Sequence, residues 1–151
     1  MKQNILLTHK VSAESALSLP YYDSGIKAGF PSPAADYEHT TLDLNEKLIK
    51  NPSTTFIARV SGDSLLDDNI EDGDLVIVDR SLLPPKDGDL AVCVIDNEFT
   101  LKYVSKRTDG IYLVPGNSSY PTIKVDEESE FYVWGIVTYS FKDLRNKSRH
   151  K

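Results

Sequence analysis

Ser64 ends the run Val60-Ser61-Gly62-Asp63-Ser64, in which a β-prone segment meets a glycine-containing turn. A serine so placed can be a nucleophile if a base removes its proton and backbone N–H groups face the developing oxyanion. Taken alone, Ser-Gly-Asp-Ser is more often a polar turn or cap. The base is not an obvious histidine, because His9 and His150 fall in expected tails and His39 precedes the β-rich region. Their dispersal also gives no metal-binding spacing, and neither a metal nor a cofactor is expected. Lysine is the usual substitute for histidine.

In the strand pattern Glu98 to Val104, Phe99, Leu101 and Tyr103 share one face, so Lys102 projects from the other with Thr100 and Val104. On a solvated strand this is an ordinary surface lysine. With a pKa near 10.4 it would be neutral in only about four molecules per ten thousand at pH 7. Desolvation can lower that pKa by several units, and a fall of three units amounts to about 4 kcal/mol of disfavoured charge.

The elements that would position these groups are short. Residues 1–41 lack a sustained period, carry Pro20, Pro31 and Pro33, and suit an extended arm. A helix is expected over Leu44 to Lys50, with Asp43 as N-cap, Glu46 as its capping-box partner, Pro52 as the stop, and Leu44, Leu48 and Ile49 facing a core. Strands are expected over 55–60, 75–79, 89–95, 98–105, 111–114 and 131–141, with Asp96-Asn97 as a hairpin loop. The pattern predicts a mainly β, compact, mostly antiparallel domain over 42–141, followed by a frayed basic tail over 142–151.

The chain has 151 residues and a formal charge of −6, which argues against broad coating of a nucleic-acid backbone and favours a protein or peptide partner. Its single cysteine, Cys93, lies in Leu90-Ala91-Val92-Cys93-Val94-Ile95 and reads as core packing, with no intrachain disulfide. No secretory segment or membrane-spanning run is present, so a cytoplasmic protein is expected.

Ala28-Gly29-Phe30-Pro31-Ser32-Pro33-Ala34-Ala35-Asp36-Tyr37, then Ser61-Gly62-Asp63-Ser64, then Glu98-Phe99-Thr100-Leu101-Lys102 resemble, in order and spacing, the UmuD branch of the LexA/UmuD family of self-cleaving serine–lysine peptidases. The likeness runs over roughly residues 28 to 141, through Asp72-Gly73-Asp74, Gly88-Asp89, Pro115-Gly116-Asn117-Ser118 and Val133-Trp134-Gly135-Ile136-Val137. It implies that Ser64 is the nucleophile, Lys102 the general base and later proton donor, and Ala28-Gly29 the scissile bond. Backbone amides at Ser64 and Asp63 would hold the oxyanion. Ala28 follows the alanine–glycine form of LexA where some UmuD proteins have cysteine, and Leu65 stands where methionine is common. The Leu82-Leu83-Pro84-Pro85 connection is slightly long, and the basic end lies beyond the likeness.

With 28 residues before the cut, too few for a helix-turn-helix domain, the expectation is a subunit of an error-prone translesion polymerase without sequence-specific DNA binding. By the same resemblance, the partners are a second copy in a homodimer, a UmuC-type polymerase subunit, and a RecA–single-stranded DNA filament that stimulates the cut. The alternatives are a non-cleaving dimeric module that binds polymerase or filament, and a signal-peptidase-like enzyme, which the missing anchor disfavours.

Overall fold

The computed structural model describes residues 5–10 at the level of the backbone, and residues 16–23, 25–26, 28–29, 40–62 and 65–145. Contacts divide the chain into two compact units, one of residues 1–11 with 53–151 and one of residues 12–52.

The larger unit is an eight-stranded sheet. Its strands are β1 (Ile5–Lys10), β4 (Thr55–Val60), β5 (Leu75–Asp79), β6 (Leu90–Ile95), β7 (Glu98–Arg107), β8 (Gly110–Val114), β9 (Ile123–Lys124) and β10 (Phe131–Phe141). They run in the order β1-β4-β5-β10-β6-β7-β8-β9, every pairing antiparallel. This is the expected mainly β, antiparallel fold. The six expected strands all form, and β7 continues two residues past its expected end to Arg107. Asp96 and Asn97 join β6 to β7 with φ of 47° and 68°, the left-handed conformation a two-residue hairpin loop needs.

The smaller unit pairs β2 (Ser18–Tyr21) with β3 (Thr40–Asp43), leading directly into α1 (Leu44–Leu48). Thus the stretch expected as an extended arm over 1–41 contains strands. They escape sequence reading because β1 has only a short apolar patch and Pro20 interrupts β2; β9, in the larger unit, is likewise missed because two residues are too short for a visible alternation. The helix stops two residues before its expected end, where Ile49 is already extended at φ −118°, ψ 100° ahead of Pro52. Asp43 caps it as expected, but its carboxylate accepts from the Asn45 N–H at 2.9 Å. Leu44, expected inward, is exposed, whereas Leu48 and Ile49 are half-buried.

The sheet of the larger unit is covered on both faces, which is why Leu90 to Ile95 is apolar throughout rather than alternating. One face buries Ala58, Val60, Leu65, Ile70, Val76, Val78, Val92 and Leu101. The other gathers Ala91, Cys93, Val104, Leu113 and Ile136. Strand β10 serves both because its register slips between Val133 and Gly135. Trp134 can then join the first cluster, edge-on to Phe56 and Phe99 with ring centroids 5.1 and 6.1 Å away. A side chain at Gly135 would fall 2.6 Å from Val78 Cγ1, so the strands approach closely only with glycine there.

The tail expected to fray is anchored at its first residue. Lys142 Nζ lies 2.5 Å from Asp74 Oδ2 and 3.3 Å from Glu71 Oε2. Asp74 is only 6% exposed, and its carboxylate also accepts from the Glu71 N–H at 2.9 Å. A carboxylate this enclosed needs a cation, and the start of the tail supplies it. Lys142→Ala should therefore lower unfolding free energy by about 2 kcal/mol in urea titrations, well beyond the effect of an exposed ion pair.

Candidate functional site

Lys102 lies near the middle of β7, opposite Ala91 on β6. Its face also carries Thr100, Val104 and the diagonal neighbour Cys93, and Ala91, Cys93 and Val104 are fully buried. The strand alternation inferred from sequence therefore holds, but the face is packed rather than solvated. Lys102 is 8% exposed. Its Nζ donates to Thr100 Oγ1 at 2.8 Å and to the Leu101 carbonyl at 3.4 Å, both neutral acceptors.

Burial pushes the Lys102 pKa below its ordinary 10.5, opposed only by the charge Cys93 would carry as a thiolate. That thiol is itself pushed up to about 12 by burial, so it is uncharged near neutral pH and gives an ammonium no support. Cys93 is the core residue its sequence setting suggests. The arrangement yields an amine held away from water, with a hydroxyl to orient it, as a general base requires.

Ser64 and Asp63, the expected nucleophile and oxyanion residues, lie outside the described residues. The chain on either side is firmly held. Before them, Gly62 has φ 94° and its N–H donates to Asp72 Oδ1 at 2.9 Å. After them, Leu65 is buried in the same cluster as Val60 and Leu101, the residue next to Lys102. A short 3-10 turn, Leu66–Asp68, follows and meets the loop after β8 along a cleft of about 530 Å³. Asp67, Asp68, Tyr103, Gly116 and Asn117 are among its lining residues. Burial, then the charge and hydrogen bond of Asp68, raise the pKa of Tyr103. Ala28 and Gly29 belong to the smaller unit and are exposed, and nothing lies within 4 Å of where a Gly29 side chain would begin.

Sequence reasoning named Thr100 on the Lys102 face and Gly116 within a motif but gave neither a role at the site. Thr100 was legible, since it sits two residues from Lys102 on the same strand face; Gly116 reads only as a turn residue until its neighbours are seen.

The chain belongs to the peptidase S24-like family, which it matches over residues 20–138. It is a UmuD-like protein within that family of self-cleaving serine peptidases. Protein MucA of Salmonella typhimurium is 44% identical over 124 residues, 82% of this chain and 84% of MucA. Protein SamA of the same species is 40% identical over 79% of this chain and 81% of its own. Protein ImpA of Salmonella typhimurium is 36% identical over 85% and 86%. These likenesses support a role of the UmuD kind in SOS mutagenesis. Among the described residues no helix is long and apolar enough to cross a membrane.

The buried amine has a thermodynamic signature. Because the folded pKa of Lys102 lies below the unfolded one, its cost to stability is fully present below the folded pKa and fades as pH rises towards 10.5. Lys102→Met should thus stabilise the fold at pH 7 by about 0.5–2 kcal/mol. The gain should shrink when urea unfolding is repeated near pH 10.

Proposed function

We propose that the chain cuts its own Ala28-Gly29 bond, with Ser64 as nucleophile and Lys102 as general base. The observation that carries this reading is the burial of the Lys102 amine beside Thr100, with a lowered pKa and neutral hydrogen-bond acceptors, in a member of a self-cleaving peptidase family.

Neutral Nζ takes the Ser64 Oγ proton as Oγ attacks the Ala28 carbonyl carbon. Backbone N–H groups of Ser64 and Asp63 donate to the resulting oxyanion. The intermediate collapses by breaking the Ala28–Gly29 bond, and the Lys102 ammonium gives its proton to the departing Gly29 amine. Water, deprotonated by the same amine, then hydrolyses the Ser64 ester to leave the Ala28 carboxylate. Small Ala28 and Gly29 offer little steric resistance to this attack.

In this role the segment around Ala28-Gly29 is the substrate, and the strands of the larger unit carry the peptidase site. The product beginning at Gly29 works as a homodimer with a UmuC-type polymerase subunit in error-prone translesion synthesis. A RecA–single-stranded DNA filament stimulates the cut, and the protein acts in the cytoplasm. The basis for these partners is the likeness to UmuD-like relatives, supported at the level of the family.

Purified protein at alkaline pH should release a fragment whose N-terminus is Gly29, identified by intact mass. The rate should rise about tenfold per pH unit and level off below pH 10.5, where Lys102 has lost its proton. Ser64→Ala and Lys102→Ala should each abolish the fragment. Undiminished cleavage in either variant would defeat the mechanism, and a chain intact even with activated filament would favour a non-cleaving interaction module.

A further inference from the structure

The turn following Ser64 is bound to a loop distant in sequence. The Asp67 N–H donates to the Gly116 carbonyl at 2.7 Å, and the Asp67 carboxylate accepts from the Ser118 N–H at 2.7 Å. Within the turn, the Asp68 and Ile70 N–H groups both donate to the Leu65 carbonyl, at 3.1 and 3.3 Å. Leu65 is 1% exposed and lies against Gly116 so closely that a side-chain carbon there would come within 2.8 Å of Leu65 Cδ2 and 3.1 Å of Leu65 Cα. It would also collide with Asp68 Oδ2. The residue following Ser64 is thus set against the 115–118 loop, and Asp67 joins the two stretches with one bond from its backbone and one from its side chain.

We propose that Asp67 is a positioning residue for the nucleophile: its paired bonds to Gly116 and Ser118 fix the turn that begins at Leu65 and so fix where Ser64 Oγ meets the scissile carbonyl. The assignment rests on Ser64 being the nucleophile. Asp67 is exposed, so it adds little to the core, and its side chain acts through hydrogen-bond geometry rather than burial. The carboxylate is needed as an oxygen acceptor, while its negative charge is incidental. Displacements of about 1 Å can cost a reaction about a hundredfold, so loosening this junction has a kinetic consequence out of proportion to its effect on folding.

The test measures self-cleavage of the full chain across a pH series, at a temperature where circular dichroism shows each variant folded. Asp67→Ala should slow cleavage at least about tenfold, whereas Asp67→Asn, which keeps an oxygen to accept from the Ser118 N–H, should stay within about threefold of wild type. The pH at which the rate levels off should be the same in all three, because it belongs to Lys102. Ser118→Pro, which removes the donor and leaves Asp67 untouched, should reproduce the loss. Wild-type rates in folded Asp67→Ala would overturn the assignment. So would an Asp67→Asn variant as slow as Asp67→Ala, or a shifted pH profile, since either would mean that Asp67 acts through charge. If the wild type cleaves and Asp67→Ala matches it, the positioning role alone falls. A wild type that stays whole at alkaline pH removes the Ser64 reading and the positioning role together.

Discussion

A lysine amine enclosed by packed side chains is the constraint on which the larger unit turns. An ammonium deprived of water costs several kcal/mol unless an anion or good acceptors compensate. Among its described neighbours Lys102 has a hydroxyl, a carbonyl and an uncharged thiol. The compensation is partial, so the charged form is disfavoured while the amine remains oriented. Such a group can persist only in a sheet whose stability comes from elsewhere, and both faces of this sheet supply it. Ala91 and Cys93 are small enough to leave a long side chain room to lie along the strand surface without being expelled to water.

Irregularities in the strands matter as much as their regular pairing. One register slip in β10 lets a single strand contribute Ile136 to the face of Lys102 and Trp134 to the opposite face. Gly135 permits the accompanying close approach to β5. The turn over 71–74 is bound to Val60 through two backbone bonds, to Gly62 through Asp72, and to the residue just past β10 through Lys142. A cation just beyond the last strand therefore steadies a turn that meets the chain only two residues before Ser64.

The β-rich core was legible in sequence because its apolar runs are separated by strong turn residues, Asp96-Asn97 foremost. Lys102 was placed on its correct strand face by alternation alone. Its burial was not legible, since a strand lysine looks the same whether the opposite strand offers alanine and cysteine or serine and glutamate; only the register of β6 against β7 decides. Pairings distant in sequence were equally hidden. Nothing in Ile5-Leu6-Leu7 names Val60 as a partner, and nothing in Pro115-Gly116-Asn117-Ser118 points to Asp67. The short capped helix shows the opposite limit, where Asp43 was recognised correctly but the stop came early because extended geometry began at Ile49.

Strand β1 precedes the expected scissile bond in sequence, yet it pairs with β4 in the larger unit, Ile5 opposite Val60 and Leu7 opposite Ala58. Breaking the bond at Ala28-Gly29 would leave that ladder unbroken while removing the covalent tether. β1 would change from an intramolecular strand, present at high effective concentration, to a peptide ligand subject to dilution. The proposed cut would be complete in one turnover, but the rearrangement it permits would then have its own equilibrium. The half-life of the released strand on β4, rather than the rate of bond cleavage, would set how soon that sheet edge becomes free.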